Sequence, residues 1–384
     1  MDRDYIPLRA CPVCEVRSGT VLGQLTYALF DDLEIPGTKT LLRCGGCGMM
    51  YDDVAFSEEQ LNEYYRRNEH YAVSNIGGTG SLSDDNCARY DRILDSLRPL
   101  SDELILDFGC GQGGFISRCL HRGFRAVGIE PTARSRAAAR EAGLTVYESW
   151  NALITQNPLS KMHIVVLSHV LEHLMHPRAL LQELSEYAHD AMVYVEVPDA
   201  DSYLLPKEVL WQEMYFEHLS HFRKQNIADL AGRCGITIIT EEKISFSALQ
   251  KGIQCRSLIG RLSANRKSTG ASASPGSEHN LVSLPAVSIE SFPKDGCPLS
   301  LWGVSQYAML LLGSCPELFS RLHHLFDASP AKIGRSIRGM LVEPSDKISS
   351  LSDEYILLIP RSPSLVQMRS QLQKMGFKGQ VFYV

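Results

Sequence analysis

Leu104-Ile-Leu-Asp-Phe-Gly-Cys-Gly-Gln-Gly-Gly-Phe115 is the stretch on which the reading of this chain turns. Leu104, Ile105 and Leu106 form an apolar run of the kind a parallel strand buries on both faces. Gly109, Gly111 and Gly113 follow at every second position, and helical spacing begins at Phe115 and Ile116. Such glycines let a backbone turn sharply and come close to a ligand. Asp107, at the strand end, would repel a phosphate and suits a cationic group beside a nucleoside. A plain strand-to-helix turn would also account for the glycines alone, so the flanking chain has to decide.

Outward from that loop, strands and helices alternate. Gly123 stands where a helix ends, and the strand Ala126-Val-Gly-Ile-Glu130 places Glu130 to accept both ribose hydroxyls of a nucleoside. A helix over Ser135 to Ala142 and a strand Thr145-Val-Tyr147 come next. The apolar run Ile164-Val-Val-Leu167 meets the polar cluster Ser168-His-Val-Leu-Glu-His173, as open α/β sheets do at their ligand crevice. Ser168 and His169 are therefore candidates to touch the bound ligand. His173 reads as a satisfied structural histidine, and Glu172 is expected to be solvated or to cap a helix. An amphipathic helix through Leu180, Leu184 and Tyr187 precedes the strand Met192 to Val197. The fold class is α/β, with a doubly wound sheet.

The chain has 384 residues, room for two or three domains. Its net charge of -6 gives no basic footprint for nucleic acid or a membrane surface. No apolar stretch approaches a spanning length, and Met1-Asp-Arg-Asp-Tyr5 does not open a signal peptide, so a cytoplasmic setting is expected. Cys11-Pro-Val-Cys14 and Cys44-Gly-Gly-Cys47 are paired knuckles that match four thiolates around a structural zinc, Zn2+; reduced thiols or a redox pair are the plainer alternative. Boundaries are expected at 1–75 for a zinc-binding N-terminal domain, 76–262 for the nucleoside-binding domain, 263–296 for a Ser-, Gly-, Ala- and Pro-rich linker or excursion, and 297–384 for a second, smaller α/β domain.

Trp211-Gln-Glu-Met-Tyr-Phe-Glu-His-Leu-Ser-His-Phe222 packs aromatics, glutamates and histidines into one short segment. Asp107 to Gly113, Glu130 and Leu171-Glu-His173 resemble the class I S-adenosylmethionine-dependent methyltransferases. The cysteine knuckles before them and Tyr215-Phe-Glu-His-Leu-Ser220 after them resemble the sugar C-methyltransferases, which join a zinc-binding N-terminal part, a Rossmann-like catalytic domain and a C-terminal Rossmann-like domain. The resemblance extends to Phe326-Asp-Ala-Ser-Pro-Ala-Lys-Ile-Gly334, while Phe216, His221 and the reduced turn Gly303-Val-Ser-Gln-Tyr307 depart from it.

The resemblance implies S-adenosyl-L-methionine as cofactor and a nucleotide-linked keto-deoxysugar as substrate, methylated on the carbon beside its ketone. It makes His218 the base, Glu217 its partner, and Tyr215 and Tyr71 the groups that hold the sugar or stabilise negative charge. His221 could substitute for His218. O-methylation of a sugar or another small metabolite is the alternative reaction, and a cofactor-binding subunit without catalysis is a further alternative.

Overall fold

The computed structural model describes residues 5–67, 82–156, 161–204, 214–245, 254–263, 297–360 and 365–383. Strands β1 (Gly19–Thr26), β2 (Thr38–Cys44) and β3 (Met50–Val54) form an antiparallel meander, followed by helix α1 (Glu58–Arg67). The side-chain period of two divides this meander between two cores. Leu41 and Met50 face one apolar cluster, and their neighbours Leu42 and Tyr51 face another.

Helix α2 (Asp84–Leu97) starts at Ser83, whose hydroxyl accepts from the Asn86 amide, with Asp84 and Asp85 favourably placed at the positive helix end. The glycine loop then lies between β4 (Leu104–Phe108) and α3 (Gly114–His121). Gly113 sits at φ 83°, and a Cβ there would stand 2.2 Å from Leu144 Cδ1, so both conformation and space require glycine. There follow β5 (Arg125–Ile129), α4 (Ala133–Glu141), β6 (Val146–Tyr147), α5 (Trp150–Gln156) and β7 (Ile164–Ser168). After a 3-10 turn at Leu171–His173 come α6 (Pro177–Tyr187) and β8 (Met192–Pro198).

The chain then leaves this sheet. Strand β9 (Ser220–His221) pairs with β3, setting His221 opposite Met50 and Ser220 opposite Tyr51. It returns through α7 (Lys224–Arg233), β10 (Ile236–Ser245) and β11 (Gln254–Leu262). The seven strands lie in the order β10-β11-β8-β7-β4-β5-β6; β4 to β8 are parallel, and β11 runs antiparallel to both its neighbours. The doubly wound sheet expected from the alternation is present. Its order reverses between β4 and β7, which opens a crevice at their carboxyl ends.

Beyond 297, β12 (Leu299–Trp302), α8 (Gln306–Ser314), α9 (Pro316–Ser320), β13 (Leu322–Asp327), β14 (Ser336–Ile337), β15 (Met340–Pro344), β16 (Ile356–Ile359), α10 (Leu365–Met375) and β17 (Gln380–Tyr383) form a third sheet. Its order is β14-β15-β13-β12-β16-β17, parallel except for β14. Leu299, Leu301 and Leu311 share their core with Leu41, Tyr27 and Phe216, while Leu106, Val165 and Leu230 share theirs with Leu42 and Tyr51. The four-stranded sheet thus lies between the other two. Apart from Ser263, the 263–296 stretch falls outside the described residues.

Candidate active site

The crevice at the ends of β4 and β7 is lined by Arg89, Asp107, Gly109, Phe115 and Ser168, among others. Gly109 and Cys110 both donate their amides to the Ile129 carbonyl, which fixes the loop against β5. Glu130 accepts from the Gly111 amide at 2.9 Å and the Thr132 amide at 2.8 Å, so it braces the same loop. Burial raises the Asp107 carboxyl to about 7; Arg89 opposes the rise and Glu130 adds to it.

Ser168 and His169 lie above a buried carboxylate. Glu196, fully buried on β8, accepts from Arg89 Nε at 2.9 Å, Arg92 Nη2 at 2.6 Å and the Tyr194 hydroxyl at 2.5 Å. Burial works against its charge, yet Arg89, His169 and Arg92 hold the carboxyl well below the usual range. Arg89 also makes a short hydrogen bond to the Ser168 hydroxyl. His169, at φ 56°, has Nδ1 3.1 Å from Glu172 Oε1 and Nε2 3.4 Å from Glu196 Oε1. Burial lowers its proton affinity, but Cys255, Glu172 and Glu196 outweigh that and raise it well above the ordinary histidine value.

Glu172 corrects an expectation. Instead of being solvated or capping a helix, its side chain is 1% exposed, held by His169 and roofed by the segment before β9, whose Leu219 amide donates to the Glu172 carbonyl. The sequence around Glu172 carries no sign of this cover, because it arrives from another sheet.

A second cluster stands beside the crevice. Tyr215, Glu217 and His218 precede β9, and the His218 ring meets His173 edge-on at 4.8 Å and Tyr215 at 5.0 Å between centroids. His173 Nδ1 lies 3.2 Å from the Tyr65 hydroxyl. Burial, followed by His173, His221, Lys39 and His169, drives the His218 proton affinity well below the ordinary value. The neutral form of its imidazole is therefore favoured. Glu217 accepts a short hydrogen bond from Tyr64 and another from Gln306 Nε2 at 2.8 Å; its Oε2 is buried without a partner. Gln306 belongs to α8, so all three sheets contribute to this cluster.

His221 stands behind it, with Nδ1 3.3 Å from the Tyr203 hydroxyl and Nε2 3.4 Å from Asp52. Tyr71 lies outside the described residues. The tyrosines that reach the cluster are Tyr64 and Tyr65, and the signal that could have found them is their spacing from Leu61 on one face of α1.

The sulfurs of Cys11, Cys14, Cys44 and Cys47 all lie within 4.8 Å of one another, with Cys11 3.6 Å from Cys47 and Cys14 3.4 Å from Cys44. These separations far exceed a disulfide bond of about 2.05 Å. They fit four thiolates on one tetrahedral ion with bonds of about 2.3 Å. The Gly46 amide donates to Cys44 Sγ at 3.3 Å, a contact that suits a metal-bound thiolate.

The sheet order and its glycine loop define a nucleoside-binding α/β crevice. Residues 82–241 match a family model described as a methyltransferase domain. The chain is 32% identical over 118 residues to an uncharacterized methyltransferase of Geobacillus kaustophilus, spanning 30% of this chain and 52% of the relative. It is 30% identical over 104 residues to a ubiquinone biosynthesis O-methyltransferase of a Bradyrhizobium species, 26% of this chain and 41% of the relative. The chain thus spans about half the length, or less, of these curated relatives. Among solved structures, a magnesium protoporphyrin IX methyltransferase from Synechocystis is similar at a TM-score of 0.39 and 15% identity, covering 53% of this chain and 98% of that one. The central unit, residues 82–241, is thus similar to methyltransferase domains. No helix among the described residues is long and apolar enough to cross a membrane.

Proposed function

We propose that the protein transfers the methyl group of S-adenosyl-L-methionine to a carbon beside the ketone of a nucleotide-linked keto-deoxysugar. The observation that carries this reading is the cluster next to the donor crevice in which buried Glu217 and His218 meet half-buried Tyr215 and His173. A carbon acid becomes nucleophilic only after losing a proton, and a neutral imidazole in a dry site is suited to take it. His218 removes the proton, and Tyr215 donates toward the developing enolate oxygen. Glu217 orients the substrate through its free carboxylate oxygen. The enolate carbon attacks the donor methyl in line, and the donor leaves as the neutral thioether. Glu130 and Asp107 hold the donor's ribose and its cationic end, with Ser168 and His169 beside it. Four cysteines hold a structural zinc that fixes the loops around β2. The reading sets the enzyme in the cytoplasm with small-molecule partners only.

O-methylation is the second reading, favoured by the relatives named for ubiquinone biosynthesis. Labelled S-adenosylmethionine incubated with a panel of nucleotide-linked keto-sugars separates the two. C-methylation requires enzyme-dependent exchange of the sugar's alpha proton with deuterium and label on carbon. Label on oxygen without exchange overturns it in favour of the second.

A further inference from the structure

Lys39 is fully buried on β2, in a different sheet from the donor crevice, and its ammonium has all three of its hydrogens placed. It lies 2.6 Å from Asp52 Oδ2 and donates to the Tyr215 carbonyl at 2.9 Å and the His218 carbonyl at 3.0 Å. Those two carbonyls bracket the turn that carries Tyr215, Glu217 and His218. Burying an ammonium is expensive unless every hydrogen is satisfied, so a lysine here needs both carbonyls as well as its carboxylate. A second buried cation works alongside it: Arg9 donates to the Asp52 and Leu219 carbonyls at 3.1 Å and 3.3 Å and to the Met175 carbonyl at 2.8 Å. The turn at 215–218 is therefore tied to the four-stranded sheet by Lys39, and the segment just after His173 is held by Arg9 from the stretch that precedes that sheet.

We propose that Lys39 is the positioning residue of the Tyr215–His218 turn, fixing where its side chains stand relative to the donor crevice. This deepens the proposed function and rests on it for the role of the turn. A flexible lysine that only filled space would not need two carbonyls of a single turn. A backbone displaced by about 1 Å is enough to cost a large factor in rate, because proton abstraction depends on near-contact geometry. Lys39 also acts on His218 through its charge. The groups around that imidazole are His173 and His169 from the crevice side, Tyr215 and Glu217 from its own turn, Glu172 beneath, and His221 and Lys39 from behind. Among these Lys39 is a fixed cation, so its presence disfavours a protonated His218.

The test uses Lys39→Met in the full chain. Histidine-ring NMR of labelled protein should show His218 titrating at higher pH than in wild type, and this readout does not depend on His218 being the base. In the methyl-transfer assay kcat should fall at least about ten-fold while S-adenosylhomocysteine binds as before. Because the single change strands Asp52, Lys39→Met/Asp52→Leu removes the pair together, and the same loss of kcat is expected of it. An unmoved His218 titration in Lys39→Met, or a folded double variant with wild-type kcat, overturns the assignment. If His218→Ala keeps its activity while Lys39→Met still moves the titration, it is the base reading that falls and the positioning role that stands.

Discussion

His173 and His218 stand ring-edge to ring-face, 4.8 Å between centroids with planes at 81°. Two imidazoles this close cannot both carry a proton cheaply, and burial adds to the cost for His218. If His218 works as a base in its neutral form, then with S-adenosylmethionine saturating the acid limb of kcat/KM for the acceptor lies well below the ordinary histidine value near 6.5. Under that condition, which removes the pH dependence of donor binding, the rate should be flat from about pH 8 down through pH 6.5. A limb centred at or above pH 6.5 would assign the proton to another group. His218→Ala should lower methyl transfer by about 10²- to 10⁴-fold and leave donor binding intact.

Donor affinity should depend on pH through Asp107. Its carboxyl is raised to about 7, so it is half protonated near neutrality and gains charge as pH rises. A cationic donor should therefore bind more tightly at pH 8 than at pH 6. Calorimetry at both values, repeated with Asp107→Asn, checks this: the variant should bind weakly and without the pH slope.

Glu130→Ala removes the acceptor of the Gly111 and Thr132 amides and, on the proposed reading, of the donor's ribose hydroxyls. Hydrogen bonds to a charged group contribute about 1.5–3 kcal/mol each, so S-adenosylhomocysteine should bind at least ten-fold more weakly by titration. Wild-type affinity would remove Glu130 from the donor site.

Glu196 is the stability test. It is fully buried among Arg89, Arg92 and Tyr194, and Glu196→Ala takes their carboxylate from two arginines, one of them almost buried, which should cost about 3–5 kcal/mol in denaturant unfolding. Its carboxyl is held well below the unfolded value near 4.3, so its contribution is present above that pH and is lost as pH falls below it. The wild type should lose stability on acidification more steeply than the variant.

Metal analysis of the purified protein should find zinc bound by Cys11, Cys14, Cys44 and Cys47, and Cys44→Ser should lose it. Since Cys44 ends β2, the same strand that carries Lys39, methyl transfer should fail in the variant while the donor still binds.

The strands, glycine loop and crevice at the ends of β4 and β7 were legible because their signals are local. Strand, glycine loop, helix and acidic strand end follow one another within residues 104–130, and each has a spacing of its own. The four cysteines were legible for the same reason. What escaped was assembled across long separations: Tyr64 against Glu217, Gln306 against Glu217, and Lys39 against the Tyr215 and His218 carbonyls. Glu172 was misread because its burial is imposed by Leu219 and its neighbours, a cover that no pattern around residue 172 announces. Strand β9, two residues long, has no periodicity to detect.

That two-residue strand sets an order of events. Met50 faces His221 across a loop that contains most of the donor sheet, whose own contacts are shorter in range and close sooner, so the acceptor half closes over a contact of very long range. A folding chain would thus acquire the ability to bind its donor before it acquires the ability to use it. Trapping refolding at that stage should yield a species that retains S-adenosylhomocysteine and transfers nothing.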